Sequence, residues 1–67
     1  MLFRDYTITR YTMVITFANG TQDIIKNVFH FELDTNMDRL TVYGINDDDT
    51  IWNDRYGTSN IYKVNIY

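Results

Sequence analysis

The chain has 67 residues, a net charge of −3, no cysteine and no proline, with 45% hydrophobic and 16% aromatic residues. This length makes one domain, 1–67, which buries only about 60% of the surface that its unfolded chain exposes. Disulfides, thiolate chemistry and cysteine-built zinc sites are excluded, and the single histidine cannot supply the usual nitrogen ligands. The six basic residues are scattered singly, so the charge balance argues against holding nucleic acid phosphates.

Tyr6 to Phe17 reads as the first strand. Tyr11, Met13, Ile15 and Phe17 share one parity and make an inward face. Tyr6 and Ile8 have the other parity, which predicts a bulge near Thr9-Arg10 or cover on both faces. Asn19-Gly20 is a strong hairpin signal and predicts a type I′ turn. The return strand runs from Gln22 to Ile25, kinks at Lys26-Asn27, and resumes with Phe29, Phe31 and Leu33 on one face and Val28, His30 and Glu32 on the other. Asp34 to Asp38 is a turn of residues whose side chains bond their own backbone. Arg39 to Ile45 is a third strand, with Leu40, Val42 and Gly44 on one side. Asn46-Asp47-Asp48-Asp49 is the next turn, and Thr50-Ile51-Trp52 opens a fourth strand. Asn53 to Ser59 reads as the longest irregular stretch, with room for a short helical turn. Asn60 to Tyr67 is the fifth strand.

The fold expected is all-β: a five-stranded antiparallel meander curled into a small open barrel or a two-layer sandwich. Its two β halves span about 6–33 and 39–67. An internal echo supports the division. Asn27-Val28-Phe29-His30-Phe31-Glu32-Leu33 is matched, position by position, by Asn60-Ile61-Tyr62-Lys63-Val64-Asn65-Ile66.

Asp47-Asp48-Asp49 lacks the glycine and closing glutamate of a calcium loop, so it reads as a polar turn rather than a metal site. His30 is the only side chain that titrates near neutrality unaided, and Glu32 shares its face. Its echo partner Lys63 implies a plain surface position. Ser59, the sole serine, has no nucleophile motif around it. No catalytic residue, cofactor or metal is assigned, and an enzyme is not expected.

The aromatics exceed what one small core needs. Stacking on single strands demands basic residues beside them, whereas the loops here are acidic. Anchoring a protein contact needs only Tyr, Trp and a few Arg. Trp52, Arg55 and Tyr56, with Asp54 between them, form the candidate contact surface, and Asp47, Asp48 and Asp49 add negative charge. Asp34 and Asp38 extend the acidic loops. The expected partner is a protein with a basic surface, since charge of opposite sign speeds encounter and selects partners. The last strand carries one charge and no proline, so edge pairing with another copy is the alternative. No apolar run approaches the roughly 20 residues that cross a bilayer. Met1-Leu2-Phe3-Arg4-Asp5 lacks the apolar stretch of a signal peptide, which predicts a cytoplasmic protein.

Val14 to Phe17 with its Asn19-Gly20 turn, Ile25 to Leu33, Leu40-x-Val42-Tyr43 and Asn60-Ile61-x-x-Val64-x-Ile66 together resemble small all-β proteins of Gram-positive phages and mobile elements. That resemblance implies a binding protein acting in the host cytoplasm, of the kind that inhibits a host or defence protein. It carries over no individual functional residue.

Overall fold

The computed structural model describes residues 9–67. Five antiparallel strands form one sheet: β1 (Tyr11–Phe17), β2 (Gln22–Asp34), β3 (Arg39–Ile45), β4 (Ile51–Gly57) and β5 (Ile61–Ile66). Their order is β4-β3-β2-β1-β5. The first four strands are a meander, and β5 returns to the free edge of β1. A three-residue 3₁₀ turn, Thr58–Asn60, joins β4 to β5, although these strands occupy opposite edges of the sheet. So short a link requires the sheet to curl until its edges approach. They form no ladder with each other, so the barrel stays open.

β2 makes the curl. Its first half pairs with β1, from Gln22 to Val28, and its second half pairs with β3, from Val28 to Asp34. Between them Asn27 takes a left-handed φ of 65°, a conformation that Asn tolerates better than most residues. Beside it, Val28 opposes Gly44 while His30 opposes Tyr43, so Phe29 is the extra residue of a bulge. The bulge corrects the expected faces. Val28 is fully buried with Met13, Ile15 and Val42, rather than sharing the outer face of His30 and Glu32. In the pairing with β1, Lys26 and Asn27 together oppose Thr12, so this second bulge lies in β2, at the expected kink, and not at Thr9-Arg10. Tyr6 and Ile8 lie outside the described residues.

The echoed segment carries the same device. Thr16 opposes Lys63 and Phe17 opposes Ile61, which leaves Tyr62 as the extra residue. Phe29 and Tyr62, equivalent in the repeat, are thus both bulged. Beyond the bulges, Phe31 and Leu33 of one copy and Val64 and Ile66 of the other line a single apolar cleft, about 340 Å³ in volume. Matching residues of the two copies thus share one cleft.

The inner face holds Met13, Ile15, Val28, Leu40 and Val42, with Tyr11, Phe17, Ile25, Trp52, Tyr56 and Ile61 packed around them. Gly44 is buried here for a specific reason. It opposes Trp52, and a Cβ at this position would fall inside the indole ring.

Two hairpin turns share one design. At Ala18-Asn19-Gly20 the Gly20 amide donates to the Phe17 carbonyl (2.9 Å), and Gly20 alone takes a positive φ, of 89°. This is the three-residue loop ending in a left-handed residue, not the type I′ turn expected, because Asn19 keeps a negative φ. Asp47-Asp48-Asp49 repeats it. The Asp49 amide donates to the Asn46 carbonyl (3.0 Å), and Asp49 takes the positive φ, of 68°.

The fourth strand differs from expectation. It continues to Gly57, and only Thr58–Asn60 forms the short helical turn. Asn53, Asp54 and Arg55 look like loop residues but pair regularly with Tyr43, Val42 and Thr41. Asn53 and Arg55 lie on the wet outer face of this edge strand, while Asp54 shares the inner face with Trp52 and Tyr56 but stays exposed.

Candidate functional site

Strand alternation splits the predicted contact group. Trp52, Asp54 and Tyr56 share the inner face of β4, whereas Arg55, opposite Thr41, falls on the outer face. There it lines a shallow polar depression with Glu32, Asp34, Arg39, Tyr43 and Asn53.

On the inner side, Trp52, Asp54 and Tyr56 look across the open curl to the first half of β2. With Asp23, Ile25 and Lys26 they line an open pocket of about 540 Å³. Each wall has a local cause. Trp52 is held across Gly44, where the missing side chain makes room for the indole. Tyr56 opposes Leu40 and packs its ring 6.2 Å from that of Phe17. Asp23 opposes the buried Ile15, which turns its carboxylate toward this face. Burial, followed by the charges of Asp23 and Asp54, holds the Tyr56 hydroxyl above the usual tyrosine pKa. Among the described residues, neither Asp23 nor Asp54 stands within ion-pair distance of a cation.

Sequence reasoning missed Asp23 because its partners lie about thirty positions away, across the curl. The available signal was its parity: Asp23 occupies the inward register of Ile25, a position that elsewhere holds apolar residues.

The three consecutive aspartates do not line this pocket. They form the β3–β4 turn. Asp48 Oδ1 accepts from the Thr50 amide (3.1 Å) and the Thr50 hydroxyl (2.6 Å), and these bonds hold its carboxyl below the usual carboxylate pKa. Asn19 Oδ1 does the same for Thr21, at 3.0 and 2.7 Å, in the matching turn. Asp47 stands 3.8 Å from Arg10. Asp34 Oδ1 accepts from the amides of Asn36 and Met37, and Asp38 accepts from the Thr58 hydroxyl. Asp34, Asp38, Asp47 and Asp48 thus have structural partners. Among the described residues no group of His, Asp and Glu is placed to hold a metal ion.

His30 is exposed on the outer face. Its Nε2 lies 3.2 Å from Glu32 Oε2, and its ring stacks beside Tyr43 at 5.4 Å. Ser59 is exposed in the 3₁₀ turn. Among the described residues no helix is long and apolar enough to cross a membrane. None of the family models, curated proteins or solved structures compared with the chain matches it.

Proposed function

We propose that this protein is a non-enzymatic binding module that engages a protein with a basic surface, as the resemblance to phage-type inhibitors of host or defence proteins implies. One observation carries the reading: Trp52, Tyr56, Asp54 and Asp23 converge on one open pocket, with neither carboxylate in an ion pair among the described residues. Rigid aromatics beside free charges are the usual anchors of a protein contact. The net charge of −3 acts in the same direction at longer range. No chemistry is assigned, because His30 lies on the far face of the sheet with Glu32 as its neighbour.

The test is capture from a cell lysate at low salt, by the full chain and in parallel by the Asp23→Asn/Asp54→Asn double variant. A basic protein retained by the wild type, released as salt rises, and lost with the variant supports the reading. A partner held equally at high salt overturns it.

A second reading is favoured by the apolar cleft beside β5. Leu33 is 61% and Ile66 49% exposed, next to an edge strand whose outer backbone groups have no ladder partner among the described strands. Self-association through that edge would cover them. Sedimentation across a wide concentration range decides: a strict monomer throughout removes this reading.

A further inference from the structure

We infer that the pocket between β4 and the first half of β2 receives one cationic side chain, a lysine ammonium or arginine guanidinium presented by the partner, with Trp52 and Tyr56 as walls and Asp23 and Asp54 as counter-charges. This deepens the proposed binding role and rests on it.

Four features support the assignment. Aromatic faces attract cations, tryptophan most strongly. The charged groups lining the pocket are two aspartates and one lysine, Lys26, so its local charge is negative. Among the described residues neither carboxylate stands within ion-pair distance of a cation, Lys26 included. Trp52 is also pre-positioned. Its ring lies over Gly44, so little ordering is required when a ligand arrives. A neutral apolar ligand would leave both carboxylates facing it unpaired, and an anion would be repelled.

The experiment is an NMR titration of the full chain with three short Gly/Ser peptides that carry a single central lysine, arginine or norleucine. Trp52 is the only tryptophan, so its indole N–H is an unambiguous reporter. The lysine and arginine peptides are expected to shift the Trp52 and Tyr56 resonances along a saturable curve, and the norleucine peptide is not. Asp23→Asn and Asp54→Asn should each weaken lysine-peptide binding about two- to five-fold. Lys26→Gln should strengthen it about two-fold by removing a like charge. Asp23 and Asp54 are exposed, so these variants keep the fold, which their unperturbed spectra check. Equal affinity for norleucine and lysine overturns the inference. So does a lysine peptide that shifts only the Asp47–Asp49 amides, or affinity indifferent to both aspartate substitutions. A salt-sensitive protein partner that still binds the double aspartate variant overturns the pocket assignment alone. Peptide binding at the pocket, with every captured partner indifferent to salt, overturns the broader reading instead.

Discussion

Gly44→Ala puts one methyl group where the indole of Trp52 now lies. The backbone permits alanine, since Gly44 does not occupy the left-handed region. In a strand the change alone should stabilise, by roughly 0.5–1 kcal/mol, through lower unfolded-state entropy. The indole must instead leave its seat. Re-exposing about 100 Å² of ring costs about 2.5 kcal/mol, and forced repacking adds about 1 kcal/mol. The net loss is about 2.5–3 kcal/mol, against a total stability of about 3–10 kcal/mol for a chain this long. The midpoint of thermal unfolding should fall by about 10–24 °C. Far-ultraviolet circular dichroism measures this for Gly44→Ala alone, Trp52→Ala alone and the two combined. If the ring is the cause, Gly44→Ala becomes neutral or mildly stabilising once Trp52 is alanine. An equal penalty in both backgrounds would falsify the packing argument.

Asn27→Gly should be neutral or slightly stabilising, whereas Asn27→Val should cost about 1–2 kcal/mol in urea denaturation, because valine resists the left-handed φ of 65°. The Tyr56 hydroxyl keeps its proton to higher pH in the folded state than unfolded, so its stabilising share is complete below the ordinary tyrosine pKa. That share is lost as pH rises through the elevated value; an ultraviolet titration should place Tyr56 late, and Asp23→Asn/Asp54→Asn should shift it earlier. Asp48 has the opposite sign: its contribution is present above the ordinary carboxylate pKa and disappears as pH falls through the lowered one. Asp48→Ala should therefore flatten the acid limb of a stability-against-pH curve, and Asp48→Asn, which keeps the acceptor oxygen, should fold as well as the parent at neutral pH. Val64→Lys should abolish any self-association seen by sedimentation while leaving lysine-peptide binding at Trp52 unchanged.

Much of the fold was legible because strands with one dry face write it in alternation. Tyr11, Met13, Ile15 and Phe17 announced β1, and Leu40, Val42 and Gly44 announced β3. The errors have physical causes. Bulges break the parity rule: with Phe29 as the extra residue, Val28 faces inward although strict alternation groups it with His30 and Glu32. The far half of β4 is hard to read because an edge strand needs apolar residues only at alternate places, and here just two inward ones, Trp52 and Tyr56, mark it. The site was half legible. Trp52, Asp54 and Tyr56 follow one another at the spacing of a single strand face, and the same spacing excludes Arg55. Asp23 reaches them only through the bend in β2; the kink at Lys26-Asn27 is legible, but not the distant strand that it brings Asp23 to face.

The short span between β4 and β5 is fastened at both ends. The Thr58 amide donates to the Asp38 carbonyl at 3.0 Å, and the Ala18 amide to the Asn60 carbonyl at 2.8 Å, which ties the span to two different hairpin tips. The gap between the edge strands therefore behaves like jaws with a pinned hinge. Any widening must grow with distance from that hinge and be greatest beside Ile51 and Ile66, where each jaw ends. A guest that wedges the gap open would register first in hydrogen exchange at those distant tips, while Thr58 and Asn60 stay protected.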